Sequence, residues 1–298
     1  MGDAASIVKT IAGEVRGRQQ GATVCFRGIP YGATTAGGSR WLPPSPAPAW
    51  DGVLDAVNDG APCPQPSLPV PGTGDSMALT TTGTPLGEDC LSLNVWTPGA
   101  DGARRPVMVW LHGGGYVVGA GTQPVYDGER LATRGDTVIV CVNHRIGPLG
   151  YLHLNELGGE RFRGSGNAGN LDLVLALEWV RDNIAAFGGD PGNVTIFGES
   201  GGGRKVTKLL TMPSARGLFH RAIIQSGAQP YAITAEQGTE VARALMEKLG
   251  VDDVAGLQAA AWEGLLGGEF GRYGPVVDGD ALPSHPIEAI AGGGAADV

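Results

Sequence analysis

The sequence predicts an α/β protein with a mostly parallel central sheet, and three observations carry that prediction. Two uninterrupted apolar runs, Val107-Met108-Val109-Trp110-Leu111 and Val138-Ile139-Val140-Cys141-Val142, have the length of strands. They lack the alternation of a half-solvated sheet, as parallel strands covered on both faces do. Leu173, Leu177, Val180, Ile184 and Phe187 then recur at helical spacing, before a further β-like run, Val194-Thr195-Ile196-Phe197. A glycine-rich turn and a helix over Lys205 to Leu210 complete a strand, helix, strand, helix order, which is the signature of an α/β layer architecture.

The remaining elements follow along the chain. Ile7 to Tyr31 reads as short β segments joined by glycine turns, and Leu91 to Trp96 alternates with period two, like a half-buried strand. Between them, Trp41 to Pro85 is rich in Pro, Gly, Ser and Thr, which predicts an irregular surface excursion with no regular element. After the second helix, Ala222 to Gln225 reads as a strand. Val241, Leu245, Met246 and Leu249 mark a helix that Gly250 ends through a left-handed cap. No internal repeat is visible.

Composition narrows the class of function. With 42% hydrophobic and 17% charged residues, the chain can bury a core and fold. A net charge of -9 and the lack of a basic cluster repel phosphate backbones, which excludes nucleic acid as a partner. No apolar run approaches the length of a membrane span, so no membrane partner is expected. Met1 to Ser6 has neither a basic nor an apolar signal region. The expected location is therefore cytoplasmic, or secreted had a signal been removed. Four cysteines are too few for a disulfide scaffold, and none has the spacing of a zinc or redox motif.

Two motifs carry chemistry. Gly198-Glu199-Ser200-Gly201-Gly202 fits G-x-S-x-G, a strand-to-helix turn so tight that flanking side chains would clash and the serine is held in a strained conformation. In a chain with 51 glycines the pattern alone is unspecific. Its context is not, because a β run precedes it and a helical segment follows. His112-Gly113-Gly114-Gly115 stands directly after the run ending at Leu111, where backbone N–H groups free of side chains can meet a developing oxyanion. Both motifs fall at carboxyl ends of parallel strands, the edge where α/β sites form.

With these residues laid out, the chain resembles the type-B carboxylesterase and cholinesterase family of α/β-hydrolases over essentially its whole length. Phe26 to Tyr31, Gly87 to Val95, Asn183 to Val194 and Phe197 to Gly202 are similar to that family's signatures, in the same order. The resemblance implies an α/β-hydrolase fold with helices on both faces of the sheet, residues 1 to 298 being the amino-terminal portion of a single catalytic domain, incomplete at its carboxyl end. It implies Ser200 as nucleophile, with Gly114, Gly115 and the N–H of Gly201 as oxyanion hole. Glu199 is then a buried carboxylate that helps organise the site. Cys63 and Cys90 stand where related esterases have a disulfide, while Cys25 and Cys141 lie in apolar strands as inert thiols. The chain departs from the family at Gly201, usually Ala, at His144, usually Tyr, and at Leu173, usually Gln.

The implied activity is hydrolysis of a small-molecule carboxylic ester through an acyl-enzyme on Ser200, with no metal or organic cofactor. Amide, carbamate or lactone cleavage by the same machinery, or a catalytically silent binding protein, are the alternatives. In this fold the acid and the histidine follow the serine. After Ser200 the chain has only His220, which the resemblance makes structural, and His285, in a loop that in the family precedes the acid. The expectation is therefore that acid and histidine lie in a carboxyl-terminal segment or second chain beyond these residues.

Overall fold

The computed structural model describes residues 6–66, 83–266 and 271–298, so 67–82 of the predicted excursion lie outside the described residues. Among the described residues the apolar runs become the middle of a nine-stranded sheet. Its strands are β1 (Ser6–Lys9), β2 (Glu14–Gln20), β3 (Thr23–Pro30), β4 (Val53–Asp55), β5 (Ser92–Thr97), β6 (Arg105–Leu111), β7 (Val138–Val142), β8 (Gly189–Glu199) and β9 (Arg221–Gln225). They lie in the order β1-β2-β3-β5-β7-β6-β8-β9, with β4 beside β2. The four strands β7, β6, β8 and β9 are parallel, and β5, β3, β2 and β1 extend the sheet antiparallel. A separate parallel pair joins β10 (Ile233–Thr234) to β11 (Val276–Val277).

Helices fill the connections: α1 (Glu129–Gly135), α2 (Gly147–Tyr151), α3 (Asn155–Gly158), α4 (Ala168–Asn183), α5 (Gly201–Leu209), α6 (Ala235–Leu249), α7 (Val254–Ala259), α8 (Trp262–Leu265) and α9 (Pro286–Ala291). Successive side chains of a strand point to opposite faces, and here they enter two separate cores. Val107, Val109 and Leu111 of β6 and Val194 and Ile196 of β8 join the large core beneath α4 and α5. Met108 and Trp110 instead pack on a small cluster of Cys25, Trp96, Ala132, Ile139 and Cys141, with Ala132 supplied by α1. The sheet thus carries helices on both faces. The helical stripe Leu173, Leu177, Val180, Ile184 and Phe187 is buried throughout. The α6 helix is closed at its start by a capping box between Thr234 and Gln237 and at its end by Gly250 at φ 65°.

Four expectations need correction. Of the two runs expected to be covered on both faces, β7 is buried at every position, whereas Met108 and Trp110 of β6 are only half-buried. The excursion is neither purely irregular nor purely surface. It contributes β4 to the sheet, and its Trp41 is fully buried, with Nε1 donating to the Pro148 carbonyl at 2.7 Å. The helix read from Lys205 begins at Gly201, because close packing rather than propensity selects the glycines of its first turn. Finally, Cys63 and Cys90 are not bridged: all four cysteines are buried free thiols, and the Cys90 and Cys63 side chains are hydrogen-bonded to one another. Cys63 Sγ also accepts from the Ile146 N–H at 3.4 Å.

Candidate active site

The register of the parallel strands builds the site. Leu111 of β6 pairs with Gly198 of β8, and Glu199 pairs with Gln225 of β9, so the chain leaves three neighbouring strands at one level. At that level Ser200 takes φ 52° and ψ -116°, a left-handed region that a residue with a Cβ adopts only when its surroundings force it. Its N–H donates to the Gln225 carbonyl at 2.8 Å, and its own carbonyl accepts from the Arg204 N–H at 3.0 Å, which starts α5. A Cβ on Gly198 would lie 2.5 Å from the Gly202 carbonyl carbon, and one on Gly202 would lie 2.0 Å from the Leu111 oxygen. Both glycines are therefore steric requirements of the turn.

The loop after β6 lies against this elbow. Gly114 and Gly115 have φ of 89° and 68°, and a Cβ on Gly201 would meet the Gly115 oxygen at 2.2 Å and its nitrogen at 2.4 Å. The three glycines named from the sequence are thus brought together with Ser200. Their N–H groups donate to no acceptor among the described residues, and Gly201 opens the amino terminus of α5. The loop is held from behind. His112 Nδ1 lies 2.9 Å from the Gly113 oxygen, the Lys205 ammonium donates to the His112 carbonyl at 2.9 Å, and the Gln65 amide both donates to and accepts from the Gly119 backbone.

Around it the electrostatics are those of a dry interior. The His112 and His144 rings stack with centroids 4.6 Å apart, and burial, reinforced by Lys205, holds both well below the usual histidine range. Lys205 is fully buried and desolvation lowers it to about 7. Glu199 is a further correction: it is exposed, since the sheet face below it is open, and not a buried carboxylate. His220 is remote from the elbow, its Nδ1 accepting from the Val194 N–H at 3.1 Å near the start of β8's pairing with β9. His285 caps α9, its Nδ1 accepting from the Ala232 N–H at 3.2 Å. Among the described residues no histidine is hydrogen-bonded to Ser200.

Residues 4–297 match the sequence model of the carboxylesterase family. The chain belongs to the carboxylesterase family. Relatives include para-nitrobenzyl esterase of Bacillus subtilis (strain 168), 40% identical over 98% of this chain and 60% of the relative. Phenmedipham hydrolase of Pseudarthrobacter oxydans is 42% identical over 95% of this chain and 58% of the relative. Among solved structures, the Geobacillus stearothermophilus carboxylesterase EST55 superposes with a TM-score of 0.88 at 41% identity, covering 98% of this chain and 59% of that one. The fold is that of the α/β-hydrolases. This carboxylesterase-family chain spans about 60% of the length of these relatives.

Its departures from the family pattern now have surroundings. Leu173 is fully buried among apolar neighbours, so nothing there is left unpaired. Both ring nitrogens of His144 lack a hydrogen-bond partner among the described residues. The basic residues Arg204, Lys205 and Lys208 of α5 were missed by sequence reasoning. Their signal was available, since three cations within one and a half turns interrupt the helix that follows the elbow.

Proposed function

We propose that the protein is a serine carboxylic-ester hydrolase acting through an acyl-enzyme on Ser200. In this reading the serine oxygen attacks the ester carbonyl, the N–H groups of Gly114, Gly115 and Gly201 hold the oxyanion, and water then hydrolyses the acyl-enzyme. What supports it is the strained conformation of Ser200 at the strand-to-helix turn, with Gly201 beside it packed against the Gly115 backbone. Strain of this kind costs about 1–3 kcal/mol and has no use in a passive binding surface, so the silent alternative is the weaker one. The substrates are small-molecule esters, in keeping with the printed activities of the esterase relatives. A serine hydroxyl needs a base, and with His220 and His285 committed elsewhere the base and its acid are, in this reading, supplied by groups outside these 298 residues.

The test is labelling with a fluorophosphonate probe, followed by mass mapping, on the protein purified from its own cells. An adduct on the Ser200 peptide that disappears in Ser200→Ala is expected. Labelling that persists in Ser200→Ala would sink the assignment. Robust turnover by residues 1–298 alone, abolished by His285→Ala, would show that the base lies within this chain.

A further inference from the structure

The proposed chemistry uses the amino terminus of α5, yet the next turns carry cations that it does not need. Arg204 and Lys208 are four residues apart, so they are stacked on one side of the helix, where like charges destabilise it. Lys208 is fully buried, and its ammonium donates to the Gln229 and Tyr231 carbonyls at 2.8 and 2.9 Å and to Gln229 Oε1 at 3.3 Å. The half-buried Arg204 guanidinium makes no hydrogen bond or ion pair among the described residues. It faces a cavity of about 190 Å³ walled by Tyr116, Gln229, Tyr231 and Tyr273. No carboxylate lines that cavity among the described residues.

The cavity adjoins the reacting centre. Tyr116 directly follows Gly115 of the donor loop, and its hydroxyl donates to Gln229 Oε1 at 3.2 Å. Arg204 stands four residues beyond Ser200, a rise of about 6 Å along the helix. A guanidinium on one wall, a second cation beneath Gln229 and phenols around it leave positive charge that no carboxylate among the described residues lining the cavity compensates. Desolvation and the nearby Arg204 lower Lys208 to about 7, a cost that an anion in the cavity would relieve.

We propose that this cavity binds a carboxylate, so that the preferred esters carry a free carboxylate on a short apolar spacer from the reacting carbonyl, with Arg204 as the specificity-determining residue. A planar guanidinium recognises a carboxylate through two parallel hydrogen bonds, and the phenols accommodate the spacer. The inference rests on the esterase reading of Ser200.

The test is calorimetric titration of the Ser200→Ala chain, in which nothing is turned over. The ligands are monomethyl glutarate, with its carboxylate on the acyl side, and 4-acetoxybutanoate, with it on the alcohol side. Dimethyl glutarate and methyl 4-acetoxybutanoate are the neutral controls. At low salt at least one anion is expected to bind about ten-fold or more tighter than its neutral control, and the tighter anion identifies the side. Adding Arg204→Gln should reduce that preference to about two-fold or less, while Arg204→Lys retains part of it. Because Arg204 has no hydrogen-bond or ion-pair partner among the described residues and repels Lys208, the melting temperature of Arg204→Gln should not fall. Equal affinity for anion and control, no heat with any ligand, or a preference untouched by Arg204→Gln would overturn the proposal. Fluorophosphonate labelling separates the two readings. Anion preference without labelling keeps the cavity and removes the esterase, and labelling without preference does the reverse.

Discussion

The two faces of the central sheet are built from the same strands and have opposite characters. Beneath α4 and α5 the odd positions of β6 and the even positions of β8 are sealed, with Val107, Val109, Val194 and Ile196 all fully buried. On the other face Met108, Trp110 and Phe197 are half-buried, Ile223 of β9 is 43% exposed, and an apolar cavity of about 220 Å³ opens between Trp110, Tyr126, Leu131 and Phe197. Neighbouring residues of similar hydrophobicity therefore do different work. Ile196 is locked in the large core, while Phe197 rests against Trp110 with ring centroids 4.9 Å apart and solvent beside it. Burial, and not residue type, sets what each contributes.

Substitutions can break this comparison. The largest effect is expected on the sealed side, where Arg145 and Asp172 form a fully buried ion pair with contacts of 2.6 to 3.2 Å. Asp172→Ala leaves a buried guanidinium without its anion and should cost about 3–5 kcal/mol, read as a fall in the urea midpoint at constant slope. Next, Ile196→Ala should cost about 2–5 kcal/mol through lost burial and the cavity left behind, whereas Phe197→Ala one position later should cost about 1 kcal/mol. Equal losses at 196 and 197 would mean that the second face is covered in solution.

A pH series sharpens the comparison, because the depressed groups cluster on the sealed side. Lys205 and Lys208 are lowered from 10.5 to about 7 by desolvation, so between those values the unfolded chain binds more protons than the folded one. Stability should therefore rise with pH from about 7 upward, and their cost is fully present below 7. His112 and His144, also depressed by burial, extend the same slope to acid below 6.5. The buried thiols act oppositely above about pH 9, since burial pushes Cys25 up to about 11 and raises Cys141, while the Cys63 hydrogen bond and burial raise Cys90. A melting temperature that rises from pH 6 to 8.5 is expected, and Lys205→Met should flatten that rise. The smallest effect belongs to the open face, where Ile223→Thr should change stability by less than about 0.5 kcal/mol.

How far the site was legible follows the same division. The elbow at Ser200 and the loop at Gly114 and Gly115 were readable because tight turns demand particular residues: a Cβ on Gly198 or Gly202 would collide with backbone. The central strands were readable because burial on at least one face demands apolar runs. Trp41 to Pro85 misled, because Pro and Gly report local backbone preference and say nothing of an indole that anchors the segment on the Pro148 carbonyl. Glu199 misled for the converse reason, since its burial depends on what covers a distant sheet face.

The sequence by itself determined the order of strands and helices, the location of the elbow and the donor loop, and the family, because these rest on local sterics and on hydrophobic period. The tertiary structure alone decided that Cys63 and Cys90 meet as thiols, that one face of β6 and β8 is open among the described residues, and that Arg204 lines a cavity with no carboxylate among the described residues. Each of these depends on which distant residues come within a few ångströms, a property of packing across the sheet that no local pattern encodes.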